Sequence, residues 1–201
     1  MNAFLRLGGY VLHPLFMPLL GACIYYLISP RHLLPEWIQA KLIAIIIVTI
    51  LVPLIVFFLL KNLKIVTTIH LKSVRERTLP LLIQCVLLIL IIKMVYNPYD
   101  SSELYYFFIG ILFTTITALL LTFFKFKASI HQMAVAGVLL FIIGLSAHFK
   151  VNLLLWIALL LFGNGWVASS RLHTHSHTVI ELIVGFFIGA FPQFILYNYW
   201  L

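Results

Sequence analysis

The sequence predicts an all-α protein, a polytopic transmembrane helical bundle of six or seven helices. Its 201 residues are 64% hydrophobic and only 9% charged, whereas charged residues make up about 25% of a typical soluble domain. One helical crossing takes about 20 apolar residues, so this length holds roughly six to eight crossings with short loops. The alternation of apolar and polar residues that marks a transmembrane barrel is absent from the sequence. This composition leaves no room for a sizeable extramembrane domain.

Seven apolar stretches account for the predicted helices. They cover about residues 9–28, 40–60, 80–96, 104–124, 131–148, 152–168 and 177–199. The first is too long for a signal peptide and predicts a retained helix. The pair that flanks residues 148–151 is either a tight hairpin or one crossing and a partial one, which leaves the count at six or seven. Gly185 and Gly189 in the last stretch indicate close helix packing. Without a repeat or linker, residues 1–201 are expected to form one integral membrane domain.

The charge balance bears on the expected partners. Thirteen Lys and Arg against five Asp and Glu give a formal net charge of +8, which in a membrane protein reflects topology, attraction to lipids or an anion site. Membrane lipids are therefore expected partners. A nucleic acid is not, because no basic run is interleaved with exposed aromatic residues. Cys23 and Cys85 lie within apolar stretches, too deep for the disulfide framework of an exported domain.

Polar residues gather in three segments between the predicted helices, at 61–79, 125–131 and 169–181. The first holds Lys61, Lys64, His70, Lys72, Arg75, Glu76 and Arg77, the second Lys125, Lys127, Ser129 and His131, and the third Ser170, Arg171, His173, His175, His177 and Glu181. Two predicted crossings separate each segment from the next. Since an even number of crossings returns the chain to the same face, all three segments should meet on one side of the membrane. Ionisable groups near a bilayer are costly and tend to mark function.

The third segment carries the most specific pattern. Ser170 and Arg171 are followed after five residues by His177, and after three more by Glu181. This pattern resembles the third signature motif of the type 2 phosphatidic acid phosphatase superfamily, in which Asp stands at the last position. Members of that superfamily are membrane lipid phosphatases that work through a phosphohistidine.

The other two motifs of the superfamily have partial counterparts. The second, Pro-Ser-Gly-His in the family, is similar to residues 128–131, Ala-Ser-Ile-His, which keep the Ser and the His. The first, a Lys followed after six residues by Arg-Pro, is represented at altered spacing by Lys72, Arg75, Arg77 and Pro80. The resemblance covers about residues 72–181 and implies a phosphatase-like core over about residues 61–199.

The resemblance implies a lipid phosphate as substrate and a role for each motif residue. His177 would attack phosphorus, Glu181 would orient His177, and His131 would act as general acid and base. The phosphate would be held by Lys72, Arg75, Arg77, Lys127, Arg171 and the hydroxyl or backbone amide of Ser129. The residue types fit this chemistry, because an i,i+4 pair shares one helical face and Arg can grip two phosphate oxygens. The scheme requires no metal and no cofactor.

Plainer interpretations of the same residues stay open. Thr178 and Glu181 also fit a capping box, in which the two residues pair with free amides at a helix start. His173, His175 and His177 alternate along the chain and could ligate a metal such as zinc. Under either interpretation the third segment needs no phosphate.

Two other functions are compatible with the sequence. One is an inactive relative that binds phosphorylated lipid, because Ile130 replaces the Gly of the second motif and brings a branched side chain to that position. The other is a small membrane transporter, a class of protein in which polar residues lie at the middle of the helices.

The distribution of positive charge gives two answers on orientation. Nine Lys and Arg on the motif face against four on the other indicate a cytoplasmic motif face. Five of the nine are candidate phosphate ligands, and without them the balance is even. The family resemblance implies an outer-face site. We therefore expect an inner-membrane protein with its site on the periplasmic side.

Overall fold

The computed structural model describes residues 2–31, 33–66 and 74–201, apart from the side chains of Asn2 and Arg75. Within these ranges the chain forms helices joined by short turns and contains no strand. The helices are α1 (Asn2–Val11), α2 (Met17–Ile28), α3 (Pro35–Ile46), α4 (Val52–Asn62), α5 (Val74–Met94), α6 (Ser102–Phe123), α7 (Ile130–Phe149), α8 (Leu154–His173) and α9 (Val179–Leu196). The predicted all-α class is confirmed.

Six helical segments of the described chain are long and apolar enough to cross a membrane. They are Pro35–Asn62, Glu76–Met94, Ser102–Phe123, Ile130–Phe149, Leu154–His173 and Val179–Tyr199. α1 and α2 together form a seventh candidate, bent by 40°. α7 and α8 are each 20 residues long, so the region around residues 148–151 joins two full crossings. The protein is a polytopic membrane bundle of six or seven spans, as predicted.

The first apolar stretch is not the single helix that its length predicts. A 3-10 turn over Pro14–Phe16 separates α1 from α2. Pro14 has no backbone N–H and pushes the preceding residue toward an extended conformation, and His13 accordingly has φ −70° and ψ 139°. The His13 ring accepts a hydrogen bond from the Leu15 amide, with 3.3 Å between Nδ1 and N. We call residues 12–16 the first-span break.

α7 is the most buried of the six candidate spans and packs closely against α9. A Cβ built on Gly189 would lie 2.0 Å from the Met133 carbonyl oxygen, and one on Gly185 would lie 2.9 Å from the Ser129 carbonyl oxygen. Only a hydrogen fits at either position. The predicted close packing of this glycine pair is confirmed, and it holds the first turns of α9 against the start of α7.

Two of the polar segments are more helical than the sequence predicts. Residues 61–79 and 169–181 are predicted as loops, yet α5 begins at Val74 and α8 continues to His173. The apolar pattern stops at the first polar residues, whereas the backbone hydrogen bonds of a helix continue into them. Arg77 and Arg171 therefore lie in terminal turns of helices and not in loops.

A group of polar residues lies at the end of the bundle opposite to the three polar segments. Glu103, in the first turn of α6, is fully buried. Its carboxylate accepts hydrogen bonds from Arg31 Nη2 at 2.7 Å and from the Tyr25 hydroxyl at 3.1 Å, and His148 Nε2 lies 3.3 Å from it. We call these four residues the far-face cluster. It ties α2, the chain that follows α2 and the end of α7 to α6.

Candidate active site

Three parts of the chain meet at one end of the bundle: the start of α5, the turn before α7 and the turn between α8 and α9. Arg77 Nη1 donates to the Ala128 carbonyl oxygen at 3.1 Å. The Ser129 amide donates to the Glu181 carbonyl oxygen, also at 3.1 Å. These bonds join the first polar segment to the second and the second to the third. The polar segments therefore lie on one side of the bundle, as the number of crossings predicts.

The turn after α8 places His177 beside Glu181, in the first turn of α9. His177 Nδ1 lies 2.9 Å from Glu181 Oε2, and the His177 side chain is only 4% exposed. An ionised carboxylate can only accept a hydrogen bond, so Nδ1 donates and Nε2 keeps its lone pair. A hydrogen bond of this kind fixes the tautomer and the orientation of an imidazole. Nε2 of His177 is thereby available as a nucleophile.

The same carboxylate also starts helix α9. Glu181 Oε2 accepts from the Thr178 amide at 3.0 Å, and the Thr178 hydroxyl accepts from the Glu181 amide at 3.3 Å. These two bonds form a capping box. The capping interpretation is therefore correct, and it does not exclude the contact with His177. One carboxylate oxygen holds both the helix start and the imidazole.

Positive charge surrounds His177. Burial lowers the pKa of His177 to about 4, and Arg77 and Lys127 act in the same direction. The hydrogen bond to Glu181 raises the pKa but does not offset these effects. Lys127 Nζ also donates to the Ser176 carbonyl oxygen at 3.0 Å, which keeps the ammonium beside the turn. His177 is consequently neutral at physiological pH, the form in which a lone pair can attack.

Arg171, in the last turn of α8, is a buried cation with unused hydrogen-bonding capacity. The residue is 9% exposed, and among the described residues its Nε has no hydrogen-bond partner. Its Nη2 donates to the buried Ser170 hydroxyl at the long distance of 3.5 Å. A buried guanidinium with so few acceptors is costly, and an anion would supply more of them. The surroundings of Arg171 are typical of a residue that binds an anion.

Ser129, the N-cap of α7, is fully buried. Its amide is already donated to the Glu181 carbonyl oxygen, and its hydroxyl oxygen accepts from the Gln132 amide at 3.4 Å. The hydroxyl proton is the remaining donor. Of the two donors expected at Ser129, only the hydroxyl is left for a phosphate.

His131, in the first turn of α7, faces the N-terminal part of the chain. Its Nε2 lies 3.2 Å from the Gly9 carbonyl oxygen, and because a carbonyl can only accept, Nε2 donates. The His13 ring stands edge-on to the His131 ring, with 5.1 Å between centroids. His131 also interacts electrostatically with Arg171 and His177. These contacts join His131 to the polar residues at this end of the bundle. We call this group the cluster; its members are Arg77, Lys127, Ser129, His131, Arg171, His177 and Glu181.

Gly9 and His13 are neighbours of the cluster that the sequence does not single out. Both lie in or beside the first apolar stretch, outside residues 72–181, which carry the family resemblance. The one sequence signal is Pro14, which predicts an extended residue before it. That signal indicates a break in the helix but not what the break contacts.

The remaining candidates differ in what can be said of them. Lys72 lies outside the described residues, and of Arg75 only the backbone, in the first turn of α5, is described. His175 is exposed and has a left-handed backbone, with φ 50°. In the part of the chain that the structure describes, no group of three or more His, Cys, Asp or Glu side chains could hold a metal ion.

The arrangement as a whole combines a neutral imidazole oriented by a carboxylate, a second imidazole and several cations. Such an arrangement suits the binding of an anion beside a nucleophilic imidazole. Known proteins add no further constraint, since no family model, curated protein or solved structure matches this chain.

Proposed function

We propose that the protein is a membrane lipid phosphatase that hydrolyses a phosphomonoester or pyrophosphate of a phosphatidyl or polyprenyl lipid through a phosphohistidine. The observation that carries the proposal is the pair formed by His177 and Glu181. In this pair a buried, neutral imidazole is held at Nδ1 by a carboxylate, with cationic side chains nearby. The resemblance of residues 170–181 to the third phosphatase motif supports the same assignment.

In the first step Nε2 of His177 attacks phosphorus, and the bond between phosphorus and the lipid oxygen breaks. His131, protonated on both nitrogens beside the bound phosphate, gives a proton to the departing oxygen. Glu181 stabilises the positive charge that develops on the His177 ring. Arg77 and Arg171 stabilise the negative charge on the equatorial oxygens of the transition state. The products are a lipid alcohol, or a lipid monophosphate from a pyrophosphate, and phosphohistidine.

The second step restores the enzyme. Water attacks the phosphorus of the phosphohistidine, and His131, now neutral, accepts a proton from that water. The bond between phosphorus and Nε2 breaks. Inorganic phosphate leaves, and both histidines return to their starting states.

The position of the cluster suits a lipid substrate. Its residues lie in the terminal turns of membrane spans and in the turns between them. A lipid presents its headgroup phosphate at this level while its tails remain in the hydrocarbon core. The proposed location is the inner membrane with the cluster on the periplasmic side. Phosphate release by intact cells from a membrane-impermeant lipid phosphate tests that orientation.

Phosphate release from purified protein in detergent tests the proposed reaction. The substrates are a phosphatidic acid and a polyprenyl pyrophosphate. Wild type should release phosphate from at least one, and His177→Ala should lower that release by at least about 1,000-fold because the nucleophile is gone. His173→Ala, four residues earlier in the last turn of α8, is the matched control and should retain activity. Equal release by wild type and His177→Ala would refute the phosphohistidine mechanism.

An inactive relative that binds phosphorylated lipid is a second candidate, favoured by Ile130. This side chain lines a small cavity beside Arg77, at the position where the family motif has Gly. A branched side chain there takes space that a phosphate and its contacting backbone need. Release by Ile130→Gly but not by wild type would favour this candidate.

A further inference from the structure

α1 is docked against α8 and carries its C-terminal end to the cluster. The Phe4 ring stacks on the Trp166 ring with 4.8 Å between centroids, and Trp166 Nε1 donates to the Phe4 carbonyl oxygen at 2.9 Å. Gly8 packs against the same indole, since a Cβ there would lie 3.0 Å from it. These contacts fix the position of the next residue, Gly9.

The first-span break frees the Gly9 carbonyl for a partner outside α1. In a continuous helix that carbonyl would accept from the amide four residues on, but the chain is no longer helical at His13. The preceding carbonyl, that of Gly8, still accepts from the Leu12 amide at 3.1 Å. The Gly9 carbonyl instead accepts from His131 Nε2 at 3.2 Å.

The α-carbon of Gly9 lies against the guanidinium of Arg171. A Cβ at Gly9 would stand 1.8 Å from Arg171 Nη2 and 2.7 Å from Cζ. No real Cβ can occupy that space, so any other residue at this position would displace the guanidinium. The negative end of the α1 dipole also favours a cation at this place.

We propose that Gly9 is a positioning residue for phosphate chemistry, acting on His131 through its carbonyl and on Arg171 through its lack of a side chain. The proposal rests on the function proposed above. With the Nε2 proton held by the Gly9 carbonyl, Nδ1 of His131 carries the mobile proton to the departing oxygen and accepts one from water. Gly9 thus orients His131 as Glu181 orients His177. The first span becomes a fourth part of the site, beside the three polar segments.

Gly9→Ala tests the proposal, with Gly165→Ala as the matched control. Both changes add one methyl group to a glycine in a helix, but a Cβ at Gly165 meets nothing within 4 Å. The measurements are kcat and KM for lipid phosphate hydrolysis, the inhibition constant of inorganic phosphate, and thermal unfolding in the same detergent. Gly9→Ala should raise KM and the inhibition constant by about tenfold, because a displaced guanidinium loses a charged contact with phosphate. Gly165→Ala should match wild type in kcat, KM and the inhibition constant.

A double variant keeps the proposal testable if Gly9→Ala folds poorly. Arg171→Met removes the atoms that the new methyl group would strike. If Gly9 acts on Arg171, Gly9→Ala should add no further loss of phosphate inhibition in the Arg171→Met protein, and the double variant should fold. A full additional loss in the double variant would overturn the proposed contact.

The outcomes separate this proposal from the function on which it rests. If His177→Ala abolishes phosphate release but Gly9→Ala shows wild-type KM, kcat and phosphate inhibition, the proposed action of Gly9 on Arg171 is refuted and the phosphatase assignment stands. If wild type neither releases phosphate nor is thermally stabilised by inorganic phosphate, both proposals fail.

Discussion

Glu181 Oε2 is shared by the His177 ring and the Thr178 amide, and two variants separate these contacts. Glu181→Gln should lower phosphate release by at least about 100-fold, because a neutral amide does not stabilise positive charge on His177. Thr178→Ala removes one bond of the capping box and should cost about 1 kcal/mol of unfolding free energy, with most of the activity retained. Phosphate release and thermal unfolding measure the two effects. Equal losses of activity would show that Glu181 matters only for the helix start.

The low pKa of His177 predicts how activity depends on pH. Nε2 must be unprotonated to attack, so kcat/KM should fall as the pH drops through about 4 and not near the ordinary histidine pKa. Rates with a lipid monoester in detergent, taken over a range of substrate concentrations, give kcat/KM at each pH. The second ionisation of a phosphate monoester itself lies at about pH 6, so the profile is compared with the titration of the substrate alone. An acidic limb near pH 6.5 that the substrate does not account for would contradict the pKa described for His177.

Stability should depend on the same group. The folded pKa of His177, about 4, lies below its ordinary value of 6.5, so the unfolded chain binds more protons between these two pH values. The contribution of neutral His177 to the free energy of unfolding is therefore complete above about pH 6.5 and is lost as the pH falls toward 4. The unfolding temperature of wild type should therefore fall more over this pH range than that of His177→Ala.

Local spacing explains which site contacts the sequence predicts. His177 and Glu181 are four residues apart, and a helix start brings such a pair together without help from the rest of the fold. The contact between His131 and Gly9 joins residues 122 positions apart. It depends on how α1 docks on α8, which apolar composition does not encode. The engaged amide of Ser129 is likewise visible only once α9 packs against α7.

Among the elements, several helices end in a left-handed residue that is not glycine. Lys64, Lys125, Lys150 and His175 have φ between 50° and 57°. After α8 the Ser176 amide donates to the Arg171 carbonyl oxygen and the His175 amide to the Leu172 carbonyl oxygen, both at 3.0 Å, which is a Schellman motif. This turn sets the direction in which the chain leaves α8 and reaches His177.

Glycine should suit that turn better than histidine. His175→Gly relieves the left-handed strain of a residue with a Cβ and should raise the free energy of unfolding by about 0.5–1 kcal/mol. His173→Gly places the same residue in the last turn of α8, where glycine is a poorer helix former than histidine, and should lower it by about 0.3–0.5 kcal/mol. Thermal unfolding in detergent compares the two. A loss of stability in His175→Gly would mean that the imidazole makes a contact that outweighs the backbone strain.

Helix boundaries were the weaker part of the sequence prediction for a physical reason. The apolar pattern reports where lipid contacts the chain, whereas a helix ends where its backbone hydrogen bonds end. α5 and α8 therefore extend into polar residues beyond the predicted stretches. For the first stretch the predicted helix is too long, because Pro14 interrupts the helix although the hydropathy stays high.

For the molecule as a whole, composition was sufficient to predict the architecture. A chain that is 64% hydrophobic and 9% charged must satisfy its backbone groups internally in lipid, and helices do so within each segment. These helices assemble through the complementary shapes of their surfaces, as where Gly189 packs against the backbone of Met133. Shape complementarity of this kind has no simple signature in one sequence.

The far-face cluster should contribute to the stability of the whole bundle. Glu103→Gln replaces a buried carboxylate that pairs with Arg31 and accepts from Tyr25. The change should lower the free energy of unfolding by about 2 kcal/mol, because bonds to a charged partner are lost within a buried site. Glu36→Gln, at an exposed position in the first turn of α3, is the control. Equal thermal unfolding of the two variants in detergent would contradict a stabilising role for Glu103.

Helix α2 lies between two polar contacts, that of Gly9 with His131 before the first-span break and that of Arg31 with Glu103 after the end of α2. A helix that is anchored at one end can change its tilt to match the thickness of the surrounding hydrocarbon. With the chain fixed to the rest of the bundle on both sides of α2, this helix has lost that freedom. A mismatch in bilayer thickness must therefore be taken up by the neighbouring lipids, which thin or thicken around the protein.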